Sequence, residues 1–566
     1  MKYAKRITAA IAAIIIALAA GCTGGETGPA GGKTGDADSK YTLWKSGRKA
    51  PSPVSETSKT VDSYEPAEGT ANEFTVARYY GDNMIVPRDR KIVIWGTAPE
   101  SENGKTVAAE FKGLKGSGVI EGGSFSFALN GTLPASGEKG HSLIVRGAEG
   151  IEKKIDDVLV GDIWVVSGQS NADLTFMGTV AQSQKDILAL YGDYLDGASE
   201  DDNIRILQQI NWSIINKAGE ARMAEPQTDI LKTNRWQIAT RRKVYGGSAT
   251  NSFSMLGYFF AKELYTLNPE IPIGIAMAGC GGAPLSLLAS PEANAAFPAA
   301  IKDRTLMLNG ITIPPSGIYN AFLAPMLNVG ITGMIFYQGE SDAGSSADYG
   351  DALKTMIEDY RAKFGSDLLF LNVQLTSYGY ESGGVQLAGV WDSVPALRFS
   401  QSEVKIDGSI ANYEIIPSID IGWKEGDGDG AHPYYKLELG RRGAKMAAAL
   451  LYGKGNMEDV ACPVPSAVRY NEEEIVIEYS YTGGGLKTVN GGGATGFEVK
   501  VNGSWQKAEA AAEGNTVKIA VSGAEGVRYA SDLRYESTGE KGTFAGSANL
   551  CSGTGNIAVP FCVEFG

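Results

Sequence analysis

The stretch Ile163-Trp164-Val165-Val166-Ser167-Gly168-Gln169-Ser170-Asn171 decides the fold. A short apolar run rich in β-branched residues ends at a glycine and gives way at once to polar side chains. That is the pattern of a strand buried on both faces that delivers chemistry at its carboxyl end. Four further runs read the same way: Ile204 to Leu207, Ile273 to Ala276, Met334 to Tyr337 and Leu369 to Val373. Amphipathic stretches between them, such as Met255 to Leu267 and Met356 to Phe364, have helical spacing. Strands alternating with helices predict an α/β domain, a parallel sheet covered on both faces. Ligands bind beyond the carboxyl ends of such strands, so the residues that follow each run are where chemistry is to be sought.

Outward from this centre the character changes. Between Phe74 and Lys154, segments such as Lys91-Ile92-Val93-Ile94-Trp95 and Ser124-Phe125-Ser126-Phe127-Ala128-Leu129 lie between Gly, Pro and Asn turns, which predicts an N-terminal β domain over 67–157. His141 begins one of its strands and reads as structural. The α/β domain takes 158–455. Beyond it, Glu474-Ile475-Val476-Ile477-Glu478 and Val517-Lys518-Ile519-Ala520-Val521 alternate among many glycines, so 456–566 reads as a second β region. Residues 22–66, dominated by Gly, Thr, Ser, Pro and charge, read as a flexible tether.

Composition removes several classes of function. In 566 residues, 51 Lys+Arg against 65 Asp+Glu leave a net charge of -14, without the cationic stripe that phosphate backbones require, so no nucleic-acid partner is expected. Only His141 and His432 are present, which excludes a three-histidine zinc site; no metal or cofactor is expected. The cysteines are Cys22, Cys280, Cys462, Cys551 and Cys562, with no Cys-x-x-Cys spacing. Cys551 and Cys562 form the candidate disulfide pair. Residues 1–21 carry Lys2, Lys5 and Arg6 before an apolar run from Ile7 to Ala20 that is too short to span a bilayer, the pattern of a signal peptide. Its end, Leu18-Ala19-Ala20-Gly21-Cys22, resembles a bacterial lipoprotein cleavage box, although Ala19 stands where Leu is more usual. The resemblance implies lipidation of Cys22 and a membrane-anchored, extracytoplasmic protein, in the periplasm or at the cell surface.

Three segments follow strands, and a fourth lies later in the domain. Gly168-Gln169-Ser170-Asn171 presents a serine, which by itself also suits a turn or helix cap. Gly279-Cys280-Gly281-Gly282-Ala283 offers glycines whose backbone N–H groups could approach an oxyanion. Gln338-Gly339-Glu340-Ser341-Asp342 places polar groups directly behind an apolar strand, where they need partners. Asp429-Gly430-Ala431-His432-Pro433 sets a carboxylate three residues before the histidine. Nucleophile, base, orienting carboxylate and neutral donors are the parts of serine acyl transfer.

In this order the four segments resemble the SGNH hydrolases, specifically their sialate O-acetylesterase and acetylxylan-esterase-like branch. Asp82-Asn83-Met84, Trp95-Gly96, Val158 to Trp164, Tyr319-Asn320-Ala321, Gly440-Arg441-Arg442, Asn549-Leu550 and Pro560-Phe561 extend the resemblance from about residue 74 to the end. It implies a flavodoxin-like three-layer α/β/α core flanked by β-sandwich-like regions, and an esterase that removes O-acetyl groups from carbohydrate. Ser170 would attack, His432 would act as base and Asp429 would orient it. Ser170 N–H, Gly281 or Gly282 N–H and the Gln338 amide would meet the oxyanion.

Two departures bear on this. The family's acidic residue two before the histidine is Gly430 here, leaving Asp429 with Asp427 as the alternative. Its Trp-Gly-Gly-Thr reads Cys280-Gly281-Gly282-Ala283, which removes a ring and a hydroxyl near the pocket. Glu340 reads as a support of the oxyanion loop. Tyr378, Tyr380, Trp391 and Trp423 are potential sugar platforms, against the commoner role of core packing. Arg398 is a potential partner for a sugar carboxylate, against a structural role in a family segment. The rival functions are a non-catalytic glycan-binding surface lipoprotein and an SGNH esterase acting on a non-carbohydrate ester.

Overall fold

The computed structural model describes residues 42–45 and 73–565, apart from 178–180, 198–201, 210–219, 247–251, 379–380, 383–384, 387–391, 423–429, 434, 490 and 533–547. At its centre lie β1 (Leu159–Gly168), β2 (Ile204–Gln208), β3 (Trp236–Ile238), β4 (Ile273–Gly279), β5 (Gly333–Tyr337), β6 (Leu369–Val373) and β7 (Tyr413–Ile416). They are ordered β3-β2-β4-β1-β5-β6-β7. All neighbours are parallel except β3, which pairs antiparallel with β2 at the edge. Ile85–Pro87 joins the start of β1. All five strands read from the sequence are present.

Every residue of β1, β4, β5 and β6 is buried, as continuous apolar runs require when helices cover both faces. On one face α3 (Met255–Leu267) and α6 (Lys436–Tyr452) pack together. Phe260 of α3 stacks edge-on against Trp164 of β1, and Gly443 of α6 lies against Ile335 of β5 and Ile416 of β7. Side chains alternate along a strand, so Phe336 points the other way. It meets Phe370, which in turn stacks on Tyr413, whose hydroxyl donates to Gln401 O of α5 (Val394–Ile406). Beside α5 lies α4 (Ser346–Phe364), which contains the predicted Met356–Phe364.

Before β1, two antiparallel sheets run from Thr75 to Ile155. His141 lies there, beside Glu138. After α6, strands from Val464 to Glu564 form two larger sheets and a two-stranded one. Two expectations need correction. Thr42–Lys45, within the segment read as a tether, is a strand paired antiparallel with Val464–Tyr470. Backbone ladder bonds there replace the freedom that its surrounding composition suggested. Cys551 and Cys562 are not bonded to each other. They lie on strands of different sheets, and the Cys551 thiol donates instead to Lys487 O.

Candidate active site

β1 is the central strand, and its neighbours β4 and β5 end beside it, Gly168 facing Gly279 on one side and Tyr337 on the other. The chain must turn sharply out of this crowded edge. Gly168 has φ +136°, and a Cβ there would stand 2.0 Å from Tyr337 O, so only glycine fits. Ser167 Oγ donates to Ala278 O at 2.7 Å and Gln169 N to Tyr337 O at 3.0 Å, fixing the turn to both neighbours. Ser170 then opens the short helix α1 (Ser170–Asp173), whose Ala172 O accepts from Ser254 Oγ at 2.6 Å.

The geometry brings Ser170 and His432 together across 262 residues: His432 Nε2 lies 2.9 Å from Ser170 Oγ. His432 is 8% exposed and Ser170 is half-buried. A hydroxyl at that distance from an imidazole nitrogen can give up its proton as it attacks. Gly281 is packed against the serine, its Cβ position 3.6 Å from Ser170 Cβ. Ala283 N donates to Cys280 O and Ser341 Oγ to Gly282 O at 2.8 Å, which holds the turn, while the backbone N–H groups of Gly281 and Gly282 donate to no acceptor among the described residues. Burial pushes the neighbouring Cys280 thiol well up, and Asp173 adds to the rise, so the sulfur stays protonated and is no rival nucleophile.

Gln338 departs from expectation. Its side chain is fully buried, and its amide nitrogen lies 2.6 Å from Asp342 Oδ2, 3.2 Å from Ala283 O and 3.3 Å from Gln169 Oε1. Its oxygen accepts from Tyr349 OH at 2.8 Å. Two N–H groups are thereby spent on protein acceptors, so Gln338 links loops behind the turn instead of offering a donor to an oxyanion. Asp342, the far end of the same segment, also accepts from Leu285 N and Arg304, and its burial raises its pKa. The spacing Gln338-x-x-x-Asp342 behind an apolar strand was the available signal for this pairing.

Asn171 is the residue whose role the sequence left open. Its Nδ2 donates to Glu340 Oε1 at 2.6 Å and to Ala431 O at 3.2 Å, and its Oδ1 accepts from Lys436 Nζ at 2.7 Å. It therefore ties the serine turn to the residue before His432 and to the first residue of α6. Lys436 is buried with its ammonium 4.9 Å from the centre of the Tyr337 ring; nothing in the sequence marked it. Glu340, expected to brace the oxyanion loop, accepts from Asn171, the neighbour of Ser170, and from the Tyr378 hydroxyl. Tyr378 is fully buried and is no sugar platform. Arg398 is buried too and donates to Leu375 O, Thr376 O and Asp532 O, a structural role. Asp429, Asp427, Tyr380, Trp391, Trp423 and Cys22 lie outside the described residues.

A mainly parallel α/β/α sheet with a Ser–His pair seated at the end of its central strand is similar to the arrangement of the SGNH hydrolases, the class that the sequence resembles. Residues 160–427 match the family of carbohydrate esterases described as sialic acid-specific acetylesterases. Human sialate O-acetylesterase is 22% identical over 338 residues, which cover 58% of this chain and 60% of the relative. The rat protein is 22% identical over 470 residues, 73% of this chain and 80% of its own. The chain thus spans about 60% of the length of the human relative. Among solved structures, a carbohydrate acetylesterase from Xanthomonas citri superimposes with a TM-score of 0.67 at 23% identity, covering 87% of this chain and 99% of that one. That likeness extends the shared fold into the flanking β regions.

Proposed function

We propose that the protein is a serine esterase that removes O-acetyl groups from carbohydrate. The observation that carries this reading is the 2.9 Å contact of Ser170 Oγ with His432 Nε2 beside the unengaged N–H groups of Gly281 and Gly282. Ser170 Oγ attacks the acetyl carbonyl carbon while His432 takes its proton. The carbonyl π electrons move onto oxygen, and the oxyanion is met by the N–H groups of Ser170 and of Gly281 or Gly282. Collapse expels the sugar oxygen, which receives the proton from His432 and leaves an acetyl-enzyme. Water, deprotonated by His432, then releases acetate and restores Ser170. Asp429 is the proposed orienting carboxylate, with Asp427 as its alternative. Wild type should release acetate from acetylated glycans, sialic acids and xylans among them, and Ser170→Ala should lower kcat by about 10⁴-fold or more. Equal p-nitrophenyl acetate turnover by the two would defeat the proposal.

We also propose that Cys22 carries a lipid anchor to the extracytoplasmic membrane face. No helix among the described residues is long and apolar enough to cross a membrane. Cys22→Ala should shift the protein from the membrane to the soluble fraction; unchanged partitioning would remove the anchor.

A further inference from the structure

A cleft of about 580 Å³ lies apart from Ser170, along edge strand β3 and against the N-terminal β domain. Two strands lie between β3 and β1, and the three strand spacings come to about 14 Å across the sheet. Three cations line the cleft, Lys153 from the β domain and Arg235 and Lys243 from the α/β domain. None of their side chains has an ion pair or hydrogen bond among the described residues. In a chain of net charge -14, these three stand, among the described residues, without the ion-pair partner that cations such as Lys154, Arg205 and Arg241 have. The carboxylate of the cleft, Asp82, already accepts from Asp156 N at 2.8 Å. A second observation is independent of charge. Trp236 also lines the cleft, is 2% exposed, and its indole nitrogen is a buried donor without an acceptor. Buried donors are ordinarily satisfied, so an indole N–H with no acceptor among the described residues is an exception in the cleft wall.

We propose that this cleft is a non-catalytic subsite for an anionic saccharide, one bearing a carboxylate on its ring. The volume falls in the range of small-molecule sites. Cations supplied by two domains suit a carboxylate, while Gln237 and Thr240 supply neutral polar groups for ring hydroxyls. A subsite here would hold an acidic glycan by residues that take no part in ester cleavage, and it stands whether or not the esterase reading does.

The test is calorimetric titration of the full chain with an unacetylated oligogalacturonate, which offers no ester to Ser170. Binding should weaken as salt rises, since exposed charges are screened. Arg235→Ala and Lys243→Ala should each weaken it by about five- to tenfold, in keeping with single charge-assisted hydrogen bonds, and Lys153→Ala should do the same. Melting temperatures should not move, because the three side chains hold nothing else. A neutral xylo-oligosaccharide should not bind at the cleft. Absence of oligogalacturonate binding, or binding indifferent to all three substitutions, overturns the proposal. Inorganic phosphate or polyglutamate binding as tightly as the sugar overturns the saccharide assignment.

Discussion

The central sheet and the C-terminal β region are both built of strands, but they bury them differently. Strand Glu474–Ser480 alternates half-buried and buried side chains, one face on a core and one toward solvent. β5 is buried at every residue, and the polar segment that follows it has no solvent to turn to. Gln338, Glu340 and Asp342 are consequently all buried, and each is held by hydrogen bonds to protein groups through at least one side-chain atom. The lesson is that a strand buried on both faces forces its polar terminus into a fixed hydrogen-bond network, and such a network can place a reacting group. An alternating strand imposes no comparable demand. Its outward residues meet water, so its ends are free of that constraint and, in this chain, of chemistry.

Replacing Gln338 puts the greatest strain on that contrast. With an alanine there, the Asp342 carboxylate, Ala283 O and Tyr349 OH each lose a buried partner. A loss of about 3 kcal/mol is expected for three buried groups each deprived of one hydrogen bond, one of them to a charged group. In a domain of this size that corresponds to a fall in melting temperature of roughly 6–12 °C. Activity should fall as well, through displacement of the Gly281–Ala283 turn. Calorimetry beside kcat decides the matter. An unchanged melting temperature with kcat down about 10²- to 10³-fold is the signature of a lost oxyanion donor. That result would return Gln338 to the reacting face.

The same contrast explains which elements are legible in the amino-acid sequence. Ile163–Val166 of β1, Ile273–Ala278 of β4, Met334–Tyr337 of β5 and Leu369–Leu371 of β6 are apolar runs, and the segments after β1, β4 and β5 stood out because polar residues or glycines followed them abruptly. β7 was missed because Glu414 interrupts Tyr413-Glu414-Ile415-Ile416; its burial is made tolerable by Lys405 Nζ at 2.7 Å, a partner on α5. β3 is three residues long and antiparallel, too short for any period to register. Thr42–Lys45 owes its strand to pairing with Val464–Tyr470, more than 400 residues away, so its Gly- and Ser-rich surroundings gave no hint. The direction of the Gln338 amide depends on Asp342, Tyr349 and Gln169 converging on it, a fact of tertiary structure that motif spacing does not contain.

The smallest expected effect lies in the alternating region. Ile477 is fully buried on the inward face of its strand, where its neighbours in the ladder are Val468 and Val517. Ile477→Val removes one methylene from that face and should cost about 1 kcal/mol, the usual penalty for this change in a packed core. The residues of the Ser170 site belong to a different sheet, and the strand carries none of the bonds that hold Gly168, Gln169 or Asn171 in place. Stability should therefore fall slightly while kcat and KM for acetate release remain as in wild type. A change in kcat of tenfold or more, with the melting temperature little altered, would mean that packing in the flanking region reaches the reacting pair. The separation drawn between a sheet that positions chemistry and a sheet that only buries surface would then fail.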